Sequence, residues 1–220
     1  MDIVEARWIR SAIGRFSPEE VSPLLNIGSS TLEFRTRRQP WVTSELMAPL
    51  EARGIRIVHC DIKNEPGVDL VADLMTDEGL SRLKAVKPKA LLCSNLLEHV
   101  PDPHRFAERC GQLISPGGIV IATGPYSYHH HRDPIDTMFR PAPEDAAALF
   151  PDCELIEGRI LTSGLSYRDR VRAHPEILLH HLLRAPFPMF YYQDWKRYMA
   201  RLYWLINNYQ FFAVLLRKTG

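Results

Sequence analysis

The sequence predicts an α/β fold: a mostly parallel seven-stranded sheet with helices on both faces, a helical insertion late in the chain and an antiparallel final strand. Two observations carry this reading. Between 21 and 123, short apolar runs alternate with amphipathic stretches at the spacing of strand–helix–strand units. A small, acidic or amide residue, Gly28, Asp61, Asp73 or Asn95, stands where each of the first four apolar runs stops. The composition agrees. With 220 residues, 45% of them hydrophobic and 24% charged, the chain reads as one domain, 1–220, able to bury roughly 70% of its unfolded surface.

The elements follow in order. Val4, Trp8 and Ala12 recur at helical spacing, and Ser17-Pro18-Glu19-Glu20 caps a second short helix with proline in its first turn, so 1–20 reads as a helical lid or brace. The run Val21 to Ile27 ends at Gly28, and Ser30-Thr31-Leu32-Glu33 has the pattern of a capping box, giving strand, glycine turn and helix start. A helix over Glu45 to Ala52, stopped by Gly54, leads to a strand over Ile55 to Cys60 that ends at Asp61. A short strand at Leu70 and Val71 reaches Asp73. A helix through Leu80 and Leu83, a strand over Ala90 to Ser94, a helix over Pro103 to Leu113 and a strand over Ile119 to Thr123 follow. After a polar, aromatic loop come a helix over Glu144 to Phe150 and a strand over Glu154 to Ile160. The stretch 165–207 reads as a helical insertion or cap, with Trp195, Tyr198, Met199, Leu202 and Ile206 on one broad face. Phe211 to Leu216 closes the sheet as an antiparallel edge strand.

Composition excludes several functions. Lys and Arg number 27 against 26 Asp and Glu, a formal charge of +1 with no basic aromatic track, so nucleic acid is not an expected partner. The four cysteines, Cys60, Cys93, Cys110 and Cys153, lie far apart and two fall in apolar runs, which points to a reducing, cytoplasmic compartment. Charged residues interrupt the first twenty positions, and Arg184, Lys196, Arg197 and Arg201 break the late apolar stretches, so neither a secretion signal nor a spanning helix is expected.

In an open parallel sheet, ligands bind beyond the carboxyl ends of the strands where strand order reverses. Asn26, Gly28, Ser29, Asp61, Asp73 and Asn95 would share that edge. Gly28 permits close backbone approach, Asp61 can accept from two ribose hydroxyls, and Asp73 can accept a purine amine with Leu74 packed on the ring. Neither GxGxxG nor GKS/GKT is present, which disfavours a nicotinamide cofactor or a nucleoside triphosphate.

Leu24-Leu25-Asn26-Ile27-Gly28-Ser29, Asp61, Gly67 to Leu74, and Ser94-Asn95-Leu96-Leu97-Glu98-His99-Val100 together resemble the class I S-adenosylmethionine-dependent methyltransferases, a Rossmann-like family. The resemblance runs from about 21 to 160. It implies S-adenosyl-L-methionine as cofactor, with Gly28 under its amino-acid end, Asp61 at its ribose, Asp73 at its adenine, and Asn95 and Leu96 flanking the methionyl group. Asn26 stands where the family usually has an acid, and Ser30 near where it has a second glycine. The implied activity is methyl transfer to a small-molecule acceptor. Two further readings stay open: a noncatalytic regulatory or scaffolding protein of the same fold, and a nucleotide-linked oxidoreductase.

Methyl transfer needs an acceptor held in line, a route for its proton and exclusion of water. His130 or His131 is the expected base, oriented by Asp133 or Asp136. No metal is expected, because adjacent histidines in a loop diverge and no carboxylate set completes an evident site in the sequence. The segment Tyr126 to Arg140 resembles the post-sheet loop of bacterial methyltransferases of polysaccharide and secondary-metabolite pathways, which suggests a sugar-like or polyhydroxylated acceptor. The aromatic helix can pack within the chain, cover an acceptor, form a homodimer or touch a membrane surface, and intramolecular packing is the expected one.

Overall fold

A computed structural model describes residues 1–131, 135–189 and 192–220. Its centre is one seven-stranded sheet in the order β3-β2-β1-β4-β5-β7-β6. Strands β1 (Leu24–Ile27), β2 (Ile57–Asp61), β3 (Leu70–Val71), β4 (Ala90–Ser94) and β5 (Ile119–Ser127) are mutually parallel. The chain then runs through β6 (Cys153–Thr162) to β7 (Gln210–Lys218), which pairs antiparallel with both β5 and β6.

The last strand is therefore an inner strand and not the edge the sequence suggested. Burial explains the exchange. Phe211 to Leu216 is buried throughout, as suits a strand covered on both faces, whereas β6 carries Glu154, Glu157 and Arg159 and has no fully buried residue.

Two cores flank the sheet. On one face, α4 (Asp77–Lys84), α5 (Pro103–Gly111) and α6 (Pro143–Ala148) cover Leu25, Ile27, Leu91, Cys93, Val120, Ala122 and Val214. On the other, α1 (Ile3–Ile13) and the segment 41–52 cover Leu24, Ala90, Leu92, Ile119, Ile121 and Leu215. The buried stripe of α1 is Ala6, Ile9, Ala12 and Ile13, one step round from the expected Val4-Trp8-Ala12 line. Ser17 and Glu20 form the expected capping box at α2 (Pro18–Val21).

The segment after Gly28 departs from expectation. Ser30 does not cap the next helix; Thr31 Oγ1 accepts from the Phe34 amide at 3.2 Å, and Ser30 has φ 55°. Two stretches of π-helix follow, Phe34–Arg38 and Val42–Met47, broken at Gln39-Pro40 before α3 (Ala48–Ala52).

Between β6 and β7 lie α7 (Tyr167–Ala173), α8 (Glu176–Arg184) and α9 (Tyr192–Ala200). Tyr167, Val171, Tyr209 and Phe211 form a separate small core beneath them, and the Tyr167 hydroxyl meets His181 Nε2 at 3.0 Å. The expected apolar face of α9 is only half-covered: Trp195, Tyr198, Met199 and Leu202 are partly buried and Ile206 is 84% exposed. Among the described residues, no helix is long and apolar enough to cross a membrane.

Candidate functional site

Strand order reverses between β1 and β4, so the rim at their carboxyl ends is where a ligand site is expected. Gly28 follows β1 with φ +70°, a conformation that side chains other than glycine rarely adopt. A Cβ there would stand 2.9 Å from Leu96 Cδ1, so Leu96, from the loop after β4, closes directly over the glycine. Ser29 is buried, and its amide donates to the Cys60 carbonyl at 2.9 Å. Gly28, Ser29, Asp61, Asn95 and Leu96 are thus drawn to one rim.

Asp61 is buried at the end of β2. Its Oδ2 accepts from the Ser30 amide at 2.8 Å and its Oδ1 from the Lys63 amide at 3.1 Å. A carboxylate offers about four acceptor positions, so two remain for ligand hydroxyls. Asn95 has φ 50°, and its side-chain amide donates at 2.8 Å to Glu5 Oε1. Glu5 is fully buried and also accepts from the Asp2 amide at 2.6 Å. Helix α1 therefore reaches over the far face and delivers a carboxylate to the rim, and burial raises that carboxylate's pKa. Glu5 was not singled out in the sequence, where it is one acid among many on an amphipathic helix.

Arg35 is the second residue that sequence reasoning missed. Only 4% exposed, it donates through Nη1 to the carbonyls of Ser29 and Ser30 at 2.8 and 2.7 Å, and through Nη2 to Gly67 at 2.6 Å. Its guanidinium ties the glycine turn to the loop before β3.

Three expected residues make other contacts. Asn26 points to neighbouring β2, where its amide meets His59 Nδ1 at 3.1 Å. Burial and the nearby Arg35 charge push His59 down to about 4, so its neutral ring can accept that amide. Asp73 is exposed; its Oδ1 accepts from the Met75 amide at 2.9 Å, and it lines a shallow cleft of ≈ 190 Å³ with Ile62, Val71 and Arg82. Leu74 is buried in the core rather than presented beside it.

The histidine loop divides. His129 is buried against Tyr128, Tyr209 and Trp204, and burial pushes it down to about 3. His130 is half-buried, and its carbonyl accepts from Arg201 Nη2 at 3.4 Å. It is His131 that meets Asp136: the His131 amide donates to Asp136 Oδ2 at 3.0 Å, and ring Nδ1 lies 3.3 Å from the same oxygen. Burial alone would raise Asp136, but the Arg140 guanidinium at 2.8 Å and the amides of His131 and Met138 outweigh it and hold the acid at about 2. Asp133, the other candidate orienting acid, lies outside the described residues.

Glu98 and His99 join this group from the single turn of 3₁₀-helix Leu97–His99. Glu98 is 1% exposed, neither carboxylate oxygen has a hydrogen-bond partner among the described residues, and burial pushes its pKa up to about 7. His99 Nδ1 meets the Ile135 carbonyl and its Nε2 lies 3.7 Å from Glu98 Oε1. One potential donor atom each from Glu98, His99 and His131 lie within 4.8 Å of one another. This carboxylate–imidazole set was not legible along the chain, because His131 stands far from the other two in sequence.

No family model matches the chain. Part of it is similar to the ubiquinone biosynthesis O-methyltransferase of Paraburkholderia phymatum, 34% identical over 71 residues, which is 32% of this chain and 29% of the relative. The corresponding protein of Cronobacter sakazakii is 39% identical over 57 residues, 26% of this chain and 24% of the relative. The matched stretches thus span less than a third of either relative. Similarity of fold is broader. A coclaurine N-methyltransferase bound to N-methylheliamine and S-adenosylhomocysteine superposes with TM-score 0.55 at 13% identity, over 97% of this chain and 70% of that one. The MccD protein superposes with TM-score 0.50 at 15% identity, over 98% and 96% of the two chains.

Proposed function

We propose that this chain, which has the class I methyltransferase fold, binds S-adenosyl-L-methionine in the crevice between β1 and β4 and directs its methyl group to a hydroxyl of a small-molecule acceptor. The observation that carries the reading is the convergence of Gly28, Asp61 and Asn95 on one rim of the sheet at the reversal of strand order. The partial likeness to O-methyltransferases supports oxygen as the accepting atom.

The residues present fit the cofactor. Asp61 has acceptor capacity left for ribose hydroxyls, and the carboxylate of Glu5, beside Asn95, suits the α-ammonium of its amino-acid end. When bound, the cofactor supplies a methyl carbon made electrophilic by its sulfonium. The chain supplies the rest. Leu96 keeps water from the Gly28 turn, and Arg35 fixes the loop that carries Ser29 and Ser30. The acceptor's proton is received at the Glu98–His99–His131 cluster, where one donor atom from each residue lies within 4.8 Å of the others. Asp136, anchored by Arg140, positions the His131 ring. A polyhydroxylated, sugar-like acceptor suits a loop offering imidazoles and carboxylates, and the half-covered helices α8 and α9 are the cap beside it.

Calorimetric titration with S-adenosylmethionine and S-adenosylhomocysteine tests the reading. Saturable one-to-one binding, weakened at least tenfold by Asp61→Ala, is expected. A second reading has its own observation: Arg35 and Leu96 pack the glycine turn closely, and Asn26 is engaged by His59, as suits a scaffolding protein of this fold. Absence of binding by both compounds would replace the first reading with the second.

A further inference from the structure

The buried end of Glu98 poses a physical problem. A carboxylate inside protein is stabilised by hydrogen bonds or by a cation, and among the described residues Glu98, 1% exposed, has neither oxygen hydrogen-bonded. Arg140 acts on it only through its charge, and two imidazoles stand beside it. His99 Nε2 lies 3.7 Å from Oε1, and the His131 ring stands edge-on to that of His99 with centroids 5.3 Å apart.

We propose that Glu98, His99 and His131 bind a divalent transition-metal ion of the zinc type, with a fourth coordination position open. Three arguments support the site. Its donor set, two imidazoles and one carboxylate, suits zinc and its neighbours, whereas calcium and magnesium prefer oxygen alone. Its outer contacts are those that metal-binding histidines use: the backbone carbonyl of Ile135 on His99 Nδ1, and the carboxylate of Asp136 beside the His131 ring. Asp136 is itself locked by Arg140 Nη2 and by the His131 and Met138 amides, so the second imidazole is held by a rigid support. Its dimensions are also near those required. Donors around a tetrahedral zinc stand roughly 3.3 Å apart; here one pair is already at 3.7 Å and all three lie within 4.8 Å, a gap that small side-chain rotations close.

Glu98 Oε2 lies against Gly124 within β5, next to Thr123, whose carbonyl accepts the Asn95 amide at 2.8 Å. The ion would therefore sit on the same rim as the crevice between β1 and β4. There it can bind an oxygen ligand and lower its pKa, so that Glu98 and His131 act through the ion rather than as a free base. Metal binding itself does not depend on the methyl-transfer reading.

The test uses the full, untagged chain stripped with a chelator. Zinc is titrated calorimetrically, and cobalt(II) by its visible d–d absorption. One-to-one uptake is expected, with cobalt bands of a four- or five-coordinate ion. Glu98→Gln, His99→Gln and His131→Gln should each weaken binding at least tenfold, and Asp136→Asn by about 10- to 100-fold. His104→Gln, on the exposed side of α5, should leave it unchanged. Far-UV circular dichroism identifies any variant that fails to fold, and the remaining variants with the wild-type stoichiometry still decide. Lack of saturable uptake by the wild type, or undiminished affinity in folded Glu98→Gln, would overturn the proposal. Titrating the metal-free chain with S-adenosylhomocysteine reports separately on the cofactor crevice, so the two readings fail independently.

Discussion

Replacing Gly28 by alanine perturbs the rim at a single methyl group, and its cost follows from two terms. At φ +70° an alanine incurs the left-handed penalty of about 1–2 kcal/mol. The new Cβ would also stand 2.9 Å from Leu96 Cδ1 and 3.2 Å from Cδ2, so Leu96 must leave its rotamer for about 0.5–1.5 kcal/mol more. The sum, about 1.5–3.5 kcal/mol, lowers the melting temperature of a chain this size by roughly 3–8 °C. Gly54→Ala provides the internal comparison. It has φ +84° and nothing within 4 Å of a Cβ, so it carries the strain without the clash. Thermal unfolding followed by circular dichroism on wild type, Gly54→Ala and Gly28→Ala should rank them in that order of falling stability. S-adenosylhomocysteine affinity should fall at least tenfold for Gly28→Ala alone. Equal melting temperatures for the two variants, with equal affinity, would refute the packing of Leu96 on Gly28.

The remaining predictions concern buried polar groups. Arg35→Met removes the donors to three carbonyls, a loss of about 2–4 kcal/mol after allowing for relief of the buried guanidinium; a midpoint in urea unchanged from wild type would contradict it. His59 titrates at about 4 in the folded chain against 6.5 in the unfolded one, so the unfolded state binds more protons between those values. Stability should therefore fall as pH drops from 6.5 toward 4, by at most about 3 kcal/mol, and then level off. Urea unfolding of wild type and His59→Asn at pH 7.5, 5.5 and 4.5 measures this; equal pH slopes would exclude His59 as the cause. Tyr167→Phe leaves His181 Nε2 without its partner and should lower the melting temperature by about 2–4 °C, with the sheet's far-UV signature intact. No change would place the stability of the helical insertion elsewhere.

The strands were legible because each parallel strand, covered on both faces, is a short apolar run, and glycine or an acid at its end marks the turn. That pattern located Gly28, Asp61 and Asn95 without coordinates. It misplaced β7 because an apolar run fixes burial but not neighbours: the sequence holds no record of which two strands flank it, and the polar exterior of β6 took the edge instead. The Ser30 capping box failed for a local reason: Ser30 turns to φ 55° and donates its own amide to Asp61, and the capping bond shifts one residue on, where Thr31 Oγ1 accepts the Phe34 amide.

Local chemistry along the chain therefore determined the class of fold, the order of its elements and the strand ends that carry the crevice, because helix and strand periodicity and turn residues act over a few positions. Only tertiary structure decided what fills that crevice and what stands beside it. Arg35, Glu5 and the joining of Glu98 and His99 to His131 and Asp136 depend on contacts between residues remote in sequence. Their burial, which sets their charge and their usefulness, arises only when the sheet brings those segments to one rim.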